Sequence, residues 1–132
     1  MTDVGTRMPE RVIGPITRTD LVRYAGAAGD MNPIHHDEEF ARSAGQPSVF
    51  AHGLLTGGML AAQVAGWLGA ANVRSLSLRF TGRVLPGDTL ALEGVVEEID
   101  EVAGERIAKC ALRVVRQTGE DALRAVATAV VT

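Results

Sequence analysis

Four residues stand out for their chemistry: Asp30, Asn32, His35 and His52. The first three lie within six positions around Pro33, which pushes Asn32 out of the helical region and stiffens the segment into a structured loop. Binding and catalytic groups are often carried on loops that a rigid scaffold holds in place. A carboxylate and an imidazole close together can share a water molecule and move its protons, which is general acid–base chemistry. His52-Gly53 opens a long apolar segment. If that segment is helical, its first turn offers free N–H groups and a positive dipole end, suited to an oxyanion. Each residue alone also has an ordinary structural reading: Asp30 as a turn residue, His35 as a hydrogen-bonded structural histidine, His52 as a brace for the helix start. With His36, the set has the ligand types of a metal site. No i, i+4 histidine pair or comparable metal motif supports one, so no metal is expected.

The elements that must position these residues follow from periodicity. Thr17 with Asp20 three residues later makes a capping-box-like helix start. Leu21, Val22, Tyr24, Ala25 and Ala28 then give an apolar stripe, and Gly29 is a C-terminal stop. Asp37 can cap a short helix over 38–44, with Glu38 and Glu39 in its positive first turn. From Ser43 to Val73 there is no Asp, Glu, Lys or Arg. Length alone would permit a membrane span. The glycines, the weight of alanine and the lack of flanking basic clusters favour instead a buried central helix, about Gly53 to Leu68. Its small residues, Gly57, Gly58, Ala61, Ala62 and Ala65, allow either close approach of other backbones or room for a ligand beside the helix.

After Asn72 the period changes to two. Leu76, Leu78 and Phe80 alternate with polar residues, as in a half-buried strand. Turns at Pro86-Gly87-Asp88, Gly104 and Gly119 separate further strands over Leu90–Ile99, Ala108–Val114 and Ala122–Val131. Short turns imply antiparallel neighbours. Helices first and a strand meander afterwards give an α+β fold, a curved antiparallel sheet wrapped around the apolar helix.

The chain has 132 residues, and no repeat or Ser/Pro-rich linker divides it, so residues 1–132 read as a single domain. Apolar residues are 46% and charged residues 22%, which excludes wholesale disorder. A net charge of −3 gives no basic excess for nucleic acid. One cysteine, Cys110, excludes a disulfide framework and a cysteine-based zinc site. Residues 1–11 have no apolar core of a secretory signal, and a cytoplasmic location is expected.

Gly29-Asp30-Met31-Asn32-Pro33-Ile34-His35, followed by Ala51-His52-Gly53-Leu54-Leu55, resembles the hydratase signature of the MaoC-like (R)-specific enoyl-CoA hydratases and (3R)-hydroxyacyl-thioester dehydratases. The resemblance runs from about Thr17 to the C-terminus and includes the Phe80 to Asp88 segment. It implies a single hot-dog fold and a catalytic dyad of Asp30 and His35. It further implies Asn32 as a residue that helps orient the dyad, Gly53 as the backbone donor to the thioester oxygen, and His52 in the substrate-binding part of the motif. One departure is Ala61, where some members carry a serine near the dyad; Thr56 or a water would have to supply that bracing bond. The implied activity is reversible hydration of trans-2-enoyl thioesters of CoA or acyl carrier protein to 3R products, with no cofactor. The implied assembly is a homodimer, or a heterodimer with a related subunit. Two alternatives remain open at this point. One is a hot-dog thioesterase, disfavoured because residues 53–68 hold no carboxylate. The other is a non-catalytic acyl-binding subunit, disfavoured because Asp30 and His35 are both present.

Overall fold

The computed structural model describes residues 1–132. The elements in chain order are β1 (Arg11–Ile13), α1 (Arg18–Ala28), a 3-10 turn (Pro33–His35), α2 (Glu38–Ser43), α3 (Gly53–Leu68), a second 3-10 turn (Ala70–Asn72), β2 (Val73–Phe80), β3 (Leu90–Val102), β4 (Glu105–Arg116) and β5 (Asp121–Val131). The helix ends obey local chemistry. The Thr17 hydroxyl accepts from the Asp20 N–H while the Asp20 carboxylate accepts from the Thr17 N–H, a reciprocal capping box. Gly29 closes α1 in the left-handed region at φ 71°. The Asp37 side chain accepts from the Phe40 N–H at the start of α2.

All five strands form one antiparallel sheet in the order β1-β3-β4-β5-β2. Inward residues alternate along each strand: Leu90, Leu92 and Val96 on β3, Cys110, Leu112 and Val114 on β4, Leu123, Ala125, Ala127 and Ala129 on β5. Against this face lies α3, which contributes Leu60, Val64 and Leu68 to the same core. The alanines of β5 let the helix lie close. At Gly57 the approach is closer still, since a Cβ there would fall 2.8 Å from the Leu78 side chain. At Gly57 the small residue thus serves packing against the sheet, its volume already filled by Leu78, while Gly58 has open space beside it and Ala62 is exposed. No helix is long and apolar enough to cross a membrane.

Two features depart from the expected meander. β1 precedes the helices and pairs with β3, and three residues are too few to leave a periodic trace. β2 pairs with β5 rather than with β3, which follows it in sequence. The segment containing Pro86-Gly87-Asp88 is thus a crossing connection rather than a hairpin. It is held by the buried Asp88 carboxylate, which accepts from the Leu85 N–H at 2.8 Å, from Arg116 Nε at 2.6 Å and Nη2 at 3.1 Å, and from Gln117 Nε2 at 2.8 Å. Burial alone would raise the Asp88 pKa; the hydrogen bonds from Arg116, Gln117 and Leu85 more than offset it and hold the carboxyl below its usual value.

Candidate functional site

The connection just described sets one wall of a cavity. The Ala51 N–H donates to the Val84 carbonyl at 2.8 Å, tying the strand-like stretch before α3 to residues 82–84. A cavity of about 390 Å³ opens there, with Asp30, His35, His52, Gly53 and Thr56 in its lining. Tyr24 reaches it from α1, Phe50 from the segment before α3, Phe80 from β2, and Gly82, Arg83 and Val84 from the connection.

Asn32 shapes the loop that carries Asp30 and His35. Its side-chain oxygen accepts from the Ile34 N–H at 3.1 Å and starts the 3-10 turn, while Asp30 Oδ1 accepts from the Asn32 N–H at 3.3 Å. This short turn carries His35 into the interior, where it is 8% exposed. His35 Nδ1 lies 2.6 Å from the Phe50 carbonyl oxygen. A carbonyl can only accept, so Nδ1 carries the proton, and in the neutral ring Nε2 keeps its lone pair. Burial pushes the His35 pKa below its ordinary value. The Phe50 hydrogen bond opposes this, His52 and His36 add to it, and the Asp30 carboxylate opposes it. The ring is thereby held as a neutral base near neutral pH.

His52 stacks on His35, with ring centroids 3.8 Å apart and planes at 26°. Its Nε2 lies 3.2 Å from the Asp30 carbonyl oxygen. Gly53 begins α3, and no side chain caps the helix start. In the first turn the Leu55 N–H donates to the His52 carbonyl at 3.1 Å, while the N–H groups of Gly53 and Leu54, both lining the cavity, have no intrahelical acceptor. A Cβ at Gly53 would fall 2.9 Å from the Phe80 ring, so any larger residue there requires the ring or the helix start to shift.

The structure brings Asp30, His35, His52 and Gly53 together around one cavity. Asn32 does not line it; its contacts are with its own turn. Ala61 does not line it either, and the Thr56 hydroxyl is engaged with the Gly53 carbonyl at 2.8 Å, so it gives the dyad no bracing bond. Sequence reading left Tyr24 in a helix stripe and Phe80 in a strand. The Phe50 carbonyl, a main-chain group, carries no signal in residue type at all.

An Asp30 carboxylate oxygen and one ring nitrogen each of His35 and His52 lie within 4.8 Å of one another. As ligand types they could hold a divalent cation. The stack argues otherwise, because nearly parallel rings send their lone pairs side by side rather than to a common point. The same span suits a water, since two hydrogen bonds of about 2.8 Å at a tetrahedral angle bridge about 4.5 Å.

A family model described as MaoC like domain matches residues 2–118. The chain is 40% identical over 89 residues, 64% of its length, to the 3-hydroxyacyl-thioester dehydratase Y of Mycobacterium tuberculosis. It is 42% identical over 90 residues, 65% of its length, to the enoyl-CoA hydratase ChsH3 of the same organism. The matches span 31% of each of these relatives. Among solved structures, the R-hydratase PhaJ1 of Pseudomonas aeruginosa superimposes with a TM-score of 0.81 at 30% identity, over 96% of this chain and 80% of that one. A chain of the ChsH1-ChsH2 complex of M. tuberculosis matches in fold with a TM-score of 0.86, covering all of both chains at 24% identity. The sheet wrapped on α3 is the hot-dog fold.

Proposed function

The chain belongs to the MaoC-like dehydratase domain family, and from that membership we propose that it hydrates trans-2-enoyl thioesters reversibly to 3-hydroxyacyl thioesters of the R series. The observation that carries this reading is the neutral His35, whose free Nε2 shares a cavity with the Asp30 carboxylate and the uncapped start of α3. A water held between Asp30 and His35 loses a proton to this pair as its oxygen bonds to C3. The C2=C3 electron pair moves toward the thioester, and its oxygen gains negative charge. The Gly53 N–H, preorganised at the helix start, stabilises that charge. A proton returned by the pair to C2 completes the addition of one water, with no change of oxidation state and no cofactor. In reverse the same groups expel water.

Names of the relatives support this class: one is a 3-hydroxyacyl-thioester dehydratase, another an enoyl-CoA hydratase, and the structural relative at 30% identity is an R-hydratase. The carrier is CoA or acyl carrier protein. Arg83 stands at the cavity with its guanidinium 4.2 Å from the Phe50 ring centroid and in no ion pair, a free positive charge for an anionic carrier. The functional unit is taken as a homodimer, or a heterodimer with a related subunit.

The test is loss of enoyl-thioester absorbance with crotonyl-CoA and longer enoyl-CoAs, with chiral analysis of the product and a parallel free-thiol assay. Hydration to the 3R alcohol is expected. Thiol release without hydration would replace this reading with thioester hydrolysis.

A further inference from the structure

The proposed chemistry leaves one group at the site without a task. His52 is 3% exposed and lies between two rings: His35 at 3.8 Å on one side, and Tyr24 at 4.8 Å with planes at 58°. Its Nε2 faces the Asp30 carbonyl oxygen at 3.2 Å, so that nitrogen carries a hydrogen. Its Nδ1 is buried with no partner. In a neutral ring, Nδ1 leaves a lone pair unmatched. In a cation, it would leave an unmatched N–H and a buried charge against a second imidazole, which is far costlier. His52 is therefore neutral with hydrogen on Nε2, the opposite tautomer to His35.

We propose that His52 is a positioning residue for the hydration step, holding the Asp30 main chain through one ring nitrogen and covering the face of His35 with the ring itself. This rests on the functional reading above. The two tasks are separable. The hydrogen bond fixes the residue from which the catalytic carboxylate springs. The stacked ring keeps water from the face of His35 and so helps to hold that imidazole neutral. The other groups around the pair are Tyr24 from α1, Asp30 and His36 from the loop, the Phe50 carbonyl, Thr56 from α3 and Arg83 from the connection. None of them replaces either contact.

Two variants divide the tasks. His52→Phe keeps a ring on His35 but donates nothing to Asp30. Crotonyl-CoA hydration should lose kcat on the order of 10²-fold through misplacement of the carboxylate, with KM unchanged and the acid limb of the pH profile displaced less than in the second variant. His52→Gln keeps an N–H donor but uncovers His35. It should retain more of kcat, and its acid limb should move to higher pH, because water restores the charged form of His35. Wild-type kcat in His52→Phe, or a rise in KM alone in either variant, overturns the proposal, the latter by making His52 a substrate contact. Should the variants fail to fold, long-range proton–nitrogen NMR of the wild-type imidazoles decides. His52 protonated on Nε2 only, with His35 on Nδ1 only, is expected at neutral pH; a cationic His52 or the Nδ1 tautomer overturns it. A wild-type protein that hydrates no enoyl thioester is a different outcome, and sinks the functional reading itself.

Discussion

The bond from His35 Nδ1 to the Phe50 carbonyl decides what the rest of the ring can do. It fixes the tautomer and leaves Nε2 its lone pair, while burial, against the upward pull of this bond, extends the working range of the base below that of a free imidazole. In the proposed mechanism Asp30 and His35 act on one water, so they should behave as a unit. Asp30→Asn and His35→Gln are each expected to lower kcat for crotonyl-CoA by about 10²–10⁴-fold with the fold intact. The double variant should be much less impaired than the product of the two losses. Wild-type kcat/KM should hold as pH falls past the ordinary imidazole value of about 6.5, because burial lowers the His35 pKa. Circular dichroism and thermal melts must accompany the rates, since an unpaired buried polar group can destabilise the chain. Near-normal hydration by a folded Asp30→Asn protein would leave the loop a structural one. At this scale the sequence is legible where the cavity is built from particular side chains at a particular spacing, as with Asp30, His35 and the pair His52-Gly53. It is silent where the partner is main chain, as with the carbonyls of Phe50 and Asp30.

Helix α3 contributes its start as well as its apolar flank. Gly53→Ala would push a methyl group against the Phe80 ring at 2.9 Å. Either the ring or the helix start must shift, and the N–H proposed to face the thioester oxygen shifts with it. Loss of an oxyanion donor typically costs about 10²–10³-fold in kcat; a loss of that order is expected, with partial recovery in the double variant Gly53→Ala/Phe80→Leu. No recovery would show that the glycine matters for a reason other than this contact. The connection behind the site has its own test. Asp88 and Arg116 are both largely buried, and breaking such a pair typically costs about 3–5 kcal/mol. Asp88→Asn should lose stability of that order in urea unfolding at neutral pH. The Asp88 pKa is lower in the folded state than in the unfolded chain. Its contribution is therefore complete above the unfolded value of about 3.9, and fades as pH falls from there through the folded value. The variant should show less of this acid destabilisation than wild type. Helix limits were readable because caps are local: Thr17 with Asp20, Asp37, and Gly29. Strand pairing was not, because alternation in residues 73–80 says which face is buried but nothing about which neighbour the edge will meet.

In the whole molecule, that choice of neighbour leaves β2 as an eight-residue outer strand with one row of main-chain groups unpaired. The opposite edge, β1, is only three residues long. A long bare edge invites a second strand. Phe80, 50% exposed at the end of β2, and Leu54, 61% exposed at the start of α3, add apolar surface where this edge meets the cavity. A two-fold symmetric, antiparallel pairing of β2 with its copy would extend the sheet across both chains and cover that surface. The active species is accordingly expected to be a dimer in sedimentation at assay concentration. Such a pairing turns about the middle of the strand, so Ser77, exposed there, would sit close to its own copy. Ser77→Asp would then set two carboxylates against each other, where like charges destabilise a strand pair. The variant should sediment increasingly as monomer at low salt and recover dimer as salt screens the repulsion. Its thermal melt at high salt should match that of wild type. A wild-type protein that sediments as a fully active monomer would show that one chain completes the site, and the bare edge of β2 would then need another explanation.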